Sequence, residues 1–214
     1  MIKTYFASTD IIQKTDEDYL KEMLSPDLKS RLAGLKRDED KSLLLTTSVL
    51  LTRVLCENGH ENYKVCDLQY SKTGRPFFPN SKFDFNISHT GNLVAIGYSK
   101  DSRVGIDIER IIDVDFSDFE NIFSKEIWNN IYSSDDKIRK FYHYWTLLES
   151  AVKADGRGLS LTSSGCIKIK KDMALIEGKR WYFYHNDACT AISCCITSDK
   201  DKEIVNFEEL NSLF

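Results

Sequence analysis

The sequence contains little proline and glycine, three and ten residues of 214, and it has no low-complexity stretch. This scarcity excludes a collagen-like protein and an extended disordered chain. No apolar run approaches the roughly 20 residues that span a bilayer, and no charged segment near Met1 leads into an apolar one. We therefore expect a globular protein that lies in the cytosol and has no membrane partner.

Cysteine patterns that bind metals or form disulfide frameworks are also missing. The six cysteines include no Cys-x-x-Cys pair, and the neighbours Cys194 and Cys195 would face opposite sides of a strand. We interpret all six as reduced thiols in apolar positions. The net charge is −4, from 29 basic and 33 acidic residues, which disfavours a nucleic acid partner. An anionic substrate would need a local basic patch.

Helix signals occur in two blocks. In the first, Ser25-Pro26 begins a short predicted helix, and a longer helix runs from Asp38 to Asn58-Gly59. The second block runs from about Asp135 to Ala154, where apolar residues recur at the helical period. Both blocks therefore have an apolar face that belongs to a core.

Strand signals follow each helical block. Alternating residues predict a meander of Phe83–Ile87, Leu93–Tyr98 and Val104–Ile108, and later strands at residues 167–170, 181–184, 189–196 and 204–207. A single shift along the chain also superposes Ala95-Ile96 on Ala191-Ile192. We predict an α+β fold of two similar helix-plus-antiparallel-sheet halves, residues 1–102 and 103–214. They would be related by a pseudo-twofold axis, with a site where they meet.

The strand from Val104 to Arg110 carries an acidic pair. Asp107 and Glu109 share one face with Gly105, because residues two apart in a strand point the same way. Two such charges ~5 Å apart repel by about 3 kcal/mol at an effective dielectric near 20. The pair therefore calls for a cation, a shared proton or open water, and a solvated strand face is the alternative.

A third carboxylate lies on the second long helix, where Glu149 and Lys153 are four residues apart and share a face. One interpretation is an ordinary salt bridge along the helix. In the other, Glu149 binds a metal and Lys153 binds a phosphate. Three carboxylates without a histidine or cysteine beside them suit Mg²⁺, which prefers oxygen ligands and substrate phosphates.

Two turns are candidate ligand contacts. Ser88 and His89, where a strand enters a turn, could form an anion cradle, although turn chemistry alone more often explains such a pair. At residues 73–76, Thr-Gly-Arg-Pro predicts an extended turn. Its backbone could meet a flat base while Arg75 meets a phosphate.

Four motifs in this order resemble those of the 4′-phosphopantetheinyl transferases. They are Gly-Arg-Pro at 74–76, Phe-Asn-Ile-Ser-His at 85–89, Gly-Ile-Asp-Ile-Glu at 105–109, and Trp-Thr-x-x-Glu-Ser-x-x-Lys at 145–153 followed by Gly-x-Gly-Leu at 156–159. The chain is similar to the Sfp-type members, which carry both halves in one polypeptide. That type makes a monomer the simpler expectation.

The resemblance implies transfer of 4′-phosphopantetheine from coenzyme A to a serine of an acyl or peptidyl carrier protein, releasing adenosine 3′,5′-bisphosphate. It implies that Asp107, Glu109 and Glu149 bind Mg²⁺, with Glu149 or a metal-bound water as the base. It further implies that Lys153, Ser88 and His89 contact phosphates of coenzyme A. In the same way, Thr73, Gly74, Arg75 and Pro76 would line the adenine, and Arg31 would lie near the 3′-phosphate.

Two positions depart from the family pattern, and one segment has two interpretations. Leu148 stands where the family commonly has lysine, and Leu28 stands where members can carry one. The apolar segment Ile111 to Phe123 would dock the carrier protein or, alternatively, cap the core.

Two alternative functions stay open. One is a Mg²⁺-dependent hydrolase of the coenzyme A pyrophosphate, and the other is a non-catalytic regulator that binds coenzyme A or a carrier.

Overall fold

A computed structural model describes residues 1–14, 17–22, 24–158, 167–186 and 191–209 of the chain. It divides into two compact units, Ser102–Glu203 and Met1–Asp101 together with the segment from Ile204. Each unit combines helices with a largely antiparallel sheet, so the predicted α+β class is confirmed. The predicted pseudo-twofold relation between the halves stays a prediction.

The helices largely follow the sequence signals. They are α1 (Glu17–Glu22), α2 (Pro26–Gly34), α3 (Asp38–Glu57), α4 (Lys125–Tyr132) and α5 (Lys137–Asp155). Ser25 Oγ accepts a hydrogen bond from the Leu28 N–H at 3.1 Å, which is the predicted cap of α2. Helix α5 ends at Gly156, where φ is +86° and glycine avoids the strain of a side chain. Helices α1 and α4 were not predicted from the sequence.

The first unit is built around a four-stranded sheet. Its strands are β1 (Ile2–Ser8), β4 (Asp84–Thr90), β5 (Leu93–Ser99) and β11 (Val205–Glu209), in the order β11-β1-β5-β4. Strands β4 and β5 form the predicted hairpin, and β11 runs parallel to β1. Helix α3 packs on this sheet, and its leucines meet Tyr5, Phe85 and Ile96 in the core. Two short strands, β2 (Gln69–Tyr70) and β3 (Pro76–Phe77), pair separately.

The second unit has a five-stranded antiparallel sheet in the order β6-β10-β9-β8-β7. The strands are β6 (Val104–Arg110), β7 (Ile167–Ile169), β8 (Met173–Ile176), β9 (Lys179–Asn186) and β10 (Ile192–Ser198). The predicted three-strand meander is therefore wrong at its last step, because β6 leaves the hairpin and pairs with β10. Helix α5 packs across β6 and β10.

The cysteines divide by position. Cys194 and Cys195 are buried on β10, where burial raises the pKa of both thiols, that of Cys195 to about 12. Cys56 and Cys66 are exposed, so the predicted apolar position is wrong for those two. Cys166 and Cys189 lie outside the described residues. Across the described ranges, no helix is both long and apolar enough to cross a membrane.

Candidate functional site

The group of acidic and basic side chains in the second unit depends on close contact between α5 and β6. A Cβ atom built on Gly105 would lie 2.1 Å from the Ser150 carbonyl oxygen and 2.4 Å from the Ala154 nitrogen. Both atoms belong to the helix backbone, which cannot move aside as a flexible side chain can. Glycine at position 105 therefore lets α5 lie directly on the strand that carries Asp107.

Asp107 and Lys153 form a partly buried ion pair across this contact. Lys153 Nζ donates to Asp107 Oδ1 at 2.6 Å, and the Asp107 side chain is only 3% exposed. Burying a carboxylate is costly unless a cation or hydrogen bonds compensate it. Lys153 supplies that compensation from one turn beyond Glu149 on the same helix.

Glu149 is held in an environment that favours its neutral form. Its side chain is buried, and burial together with the neighbouring Asp107 charge raises its pKa from 4.5 to about 7. Lys153 acts in the opposite direction and Glu109 adds a smaller upward effect. A carboxyl group that is partly ionised at neutral pH can accept or return a proton there.

Glu109 completes the acidic group from the same face of β6 as Asp107. Trp145 Nε1 donates to Glu109 Oε1 at 3.4 Å, so the indole orients this half-buried carboxylate. Burial and then the Glu109 charge raise the pKa of Tyr142, on the same helix. The Glu109 charge on β6 thus raises the pKa of side chains on more than one turn of α5.

The three carboxylates fit a hard divalent cation by their chemistry. All three offer oxygen ligands, which such an ion prefers. Burial and then the repulsion from Asp107 raise the pKa of Glu149, and a bound cation would offset that repulsion. Within the described ranges, however, no group of three or more His, Cys, Asp or Glu side chains is already gathered for a metal. The Lys153 ammonium instead neutralises Asp107 directly. The Mg²⁺ site stays a prediction.

Two buried hydroxyl pairs fix α5 against β10. Thr146 Oγ1 lies 3.0 Å from Ser193 Oγ, and Ser150 Oγ lies 2.7 Å from Thr197 Oγ1. Their spacing of one helical turn places the pairs on either side of Glu149 in the sequence. This role was not predicted from the sequence, although polar residues on the buried face of a helix are a recognisable signal.

The first unit contains a cavity of about 320 Å³ with mostly apolar walls. Its polar side chains include Arg31 and His89, and Pro76 also lines it, so three predicted coenzyme A contacts occur together. Leu28, one of the positions that depart from the family, forms part of the same wall. The cavity can hold a flat apolar group, and Arg31 and His89 give it a basic edge. The Asp40 carboxylate offsets part of the positive charge.

Ser88 and His89 do not form the predicted common cradle. Strand β4 continues through Thr90, so these consecutive residues point to opposite faces of the sheet. His89 is exposed and lines the cavity together with Ile87, two residues earlier. Ser88 is buried on the other face. Only the histidine is therefore positioned to meet a ligand in that cavity.

Arg75 is placed inside the first unit. Its guanidinium donates to Asp84 Oδ2 at 2.7 Å and to the Phe85 carbonyl oxygen at 3.2 Å, and its side chain is 6% exposed. This position does not support the predicted phosphate contact, because the Arg75 guanidinium is already paired with the Asp84 carboxylate. Thr73 and Gly74 form an exposed turn, with φ at Gly74 of +82°.

Most of the segment from Ile111 to Phe123 packs against the core under α4 and α5. Its partly buried members are Ile111, Val114, Phe116, Phe119 and Ile122. The Phe119 ring centroid lies 5.0 Å from that of Phe141, while Ile112 is 62% exposed. Packing thus supports the core-capping interpretation and leaves Ile112 as the exposed apolar residue for a docking role. Leu148 is also a core residue, 2% exposed.

Comparison with known proteins agrees with the sequence motifs. Residues 13–100 match the family model described as "4'-phosphopantetheinyl transferase, N-terminal", and residues 103–196 match that of the "4'-phosphopantetheinyl transferase superfamily". Leu159, the last residue of the Gly-x-Gly-Leu motif, lies outside the described residues.

Similar curated proteins include two transferases from Bacillus subtilis. The 4'-phosphopantetheinyl transferase ffp is 29% identical over 153 residues, 70% of this chain and 68% of the relative. The transferase Sfp of strain 168 is 27% identical over 152 residues, 70% of this chain and 67% of the relative. The L-aminoadipate-semialdehyde dehydrogenase-phosphopantetheinyl transferase of Xenopus laevis is 26% identical over 64% of this chain and 50% of its own length. The chain therefore belongs to the 4′-phosphopantetheinyl transferases, and it is of the Sfp type.

Proposed function

We propose that this transferase moves 4′-phosphopantetheine from coenzyme A to a serine hydroxyl of an acyl or peptidyl carrier protein, in a Mg²⁺-dependent reaction that releases adenosine 3′,5′-bisphosphate. The observation that carries the proposal is the group of Asp107, Glu149 and Lys153, with a Glu149 pKa of about 7. Such a group suits a reaction in which a proton leaves a hydroxyl while charge develops on a phosphate.

Glu149 is the proposed base for the incoming serine. A base is most effective when its pKa lies near the working pH, because it is then largely ionised and still holds the proton that it accepts. Lys153 would bind a phosphate oxygen, and in doing so it would exchange its contact with Asp107 for one with the substrate. That exchange leaves Asp107 available as a ligand.

The carboxylates of Asp107, Glu109 and Glu149 would hold the Mg²⁺. When bound, the ion would supply positive charge that stabilises the negative charge developing on the departing 5′-phosphate of adenosine 3′,5′-bisphosphate as the pyrophosphate bond breaks. Trp145 would keep Glu109 oriented through its 3.4 Å hydrogen bond. Mutual repulsion among the carboxylates favours a cation at this position whether or not they already share one point.

The apolar cavity of the first unit is the proposed site for the adenosine part of coenzyme A. Its leucine-rich wall suits a flat base, and Arg31 and His89 at its edge would contact phosphate oxygens. We do not assign Arg75 to phosphate binding, since its guanidinium is paired with Asp84. A monomer stays a prediction that sedimentation of the purified protein would test, and a cytosolic location stays a prediction as well.

Mass spectrometry of an apo carrier protein tests the proposal. Incubation with the transferase, coenzyme A and Mg²⁺ should add one phosphopantetheine, and the adduct should disappear with EDTA or in Asp107→Ala. Asp135→Ala, which removes an exposed carboxylate of the same unit, is the matched control and should stay active. Bisphosphate release without a carrier would indicate the alternative hydrolase. Binding of coenzyme A with neither product would indicate the non-catalytic alternative.

A further inference from the structure

The second unit has a cavity of its own, with polar walls, beside the first half of α5 and against β9 and β10. Its volume is about 260 Å³, and its lining includes Arg139, Lys140, His143, His185 and Ser193. None of these residues belongs to the acidic group around Glu149. We propose that this cavity binds a small anion of the phosphate class, either inorganic phosphate or the phosphate of a monoester.

Basic side chains reach the cavity from two elements. Arg139 and His143 are four residues apart on α5, so they share a helix face. His185 comes from β9, and its ring centroid lies 4.5 Å from that of His143. Ser193 Oγ, which donates to the Tyr142 carbonyl oxygen at 3.2 Å, lies 3.3 Å from His185 Nε2 and helps to position that ring. Guanidinium, ammonium and imidazole groups thus line one cavity.

The charge of this lining is positive although the whole chain carries −4. Among the described lining residues, Arg139 and Lys140 are permanent cations, and Asp136 is the carboxylate. Asp136 Oδ2 lies 3.6 Å from Arg139 Nε, while its other oxygen caps α5 by accepting from the Arg139 N–H. Protonation of either imidazole increases the positive charge further. A bound anion would offset this positive charge.

The donor types favour a phosphate over other small ligands. A guanidinium offers a planar fork that matches two phosphate oxygens, and an imidazole N–H and the Lys140 ammonium can donate to the others. The half-buried positions of Arg139, Lys140, His143 and His185 reduce screening by water. A transition metal is disfavoured, because no group of three suitable ligands is gathered anywhere among the described residues.

Imidazole NMR signals provide a direct test, since the chain has four histidines and the spectrum is simple. Inorganic phosphate is titrated into labelled protein while chloride keeps the ionic strength constant. Saturable shifts of His143 and His185 are expected, with His60 of the first unit as the internal reference. Glycerol phosphate forms a second arm. Tighter binding of glycerol phosphate would assign a monoester, and equal or weaker binding would assign inorganic phosphate.

Substitutions separate a built site from general attraction. Arg139→Gln should weaken phosphate binding about tenfold, as expected for loss of a charge-assisted hydrogen bond. Lys137→Gln removes one charge from an exposed position on the same helix and should change the affinity less than twofold, roughly. Lys140→Gln provides a second test if Arg139→Gln fails to fold. Equal weakening by Lys137→Gln, or shifts that follow ionic strength alone, would overturn the proposal. The assay contains neither coenzyme A nor carrier, so its failure leaves the proposed transfer reaction unaffected.

Discussion

Replacing Gly105 with alanine should disturb both the second unit and its acidic group. The added Cβ would lie 2.1 Å from the Ser150 carbonyl oxygen, whereas ordinary contact begins near 3.4 Å. Helix α5 must therefore retreat from β6 by about 1 Å, which corresponds to overpacking that costs about 1–3 kcal/mol. The same retreat would stretch the 2.6 Å contact between Lys153 and Asp107 beyond good hydrogen-bonding distance.

Stability and activity should both respond. Each kcal/mol lowers the melting temperature of a chain of this size by about 2–4 °C, so circular dichroism should detect the change. A displacement of about 1 Å among reacting groups can reduce turnover on the order of 100-fold. The carrier-modification assay should show that loss after correction for the folded fraction.

The matched control is Gly34→Ala at the end of α2. A Cβ added at position 34 would have no heavy atom within 4 Å, and alanine is the better helix former by up to about 1 kcal/mol. Gly34→Ala should therefore be neutral or slightly stabilising and fully active. If Gly105→Ala were as stable as the parent, the close approach of α5 to β6 would not constrain the fold. If it lost stability but kept its activity per folded molecule, α5 would not position the catalytic group as argued.

Three further predictions concern individual side chains. Since burial and a neighbouring carboxylate raise the pKa of Glu149 from 4.5 to about 7, the folded chain holds a proton that the unfolded chain loses between those values. The free energy of unfolding, measured by urea titration, should fall by up to about 3 kcal/mol as pH rises through that window. Glu149→Gln should abolish this fall. If the variant kept the pH dependence of the parent protein, the pKa would be assigned to the wrong residue. Arg75→Gln should cost about 3 kcal/mol because it removes the cation that pairs with the Asp84 carboxylate, with little change in the KM for coenzyme A; weaker binding at full stability would argue for a phosphate contact instead. Trp145→Phe keeps an aromatic ring but removes the hydrogen bond to Glu109, so kcat/KM should drop about fivefold, and unaltered kinetics would contradict the orienting role.

Local signals in the sequence predicted the helices well and the sheet partners less well. Ser25-Pro26 and the turn after Asn58 act on neighbouring residues, so their effect is readable from the chain. The pairing of β6 with β10 joins residues far apart in sequence, and nothing in the short turn after β5 indicates that the chain changes sheets. Strands β1 and β8 were missed for a similar reason, since their partners rather than their own patterns define them.

The candidate site shows the same division. Alternation along a strand correctly placed Asp107 and Glu109 on one face, and the helical repeat placed Glu149 beside Lys153. The same alternation separates Ser88 from His89 once β4 is known to continue through both. Burial depends on the packing of distant segments, and pattern alone therefore could not distinguish a ligand-binding arginine from one that is paired internally.

The parallel pairing of β11 with β1 has a consequence for the order of folding. The first unit contains both ends of the described chain, whereas the second unit is one continuous stretch. During synthesis, the outer edge of β1 would stay uncovered until residues 205–209 emerge, leaving its backbone groups open to foreign strands. The continuous stretch can complete its own sheet earlier. The nascent protein should thus be most prone to aggregation just before strand β11 is made.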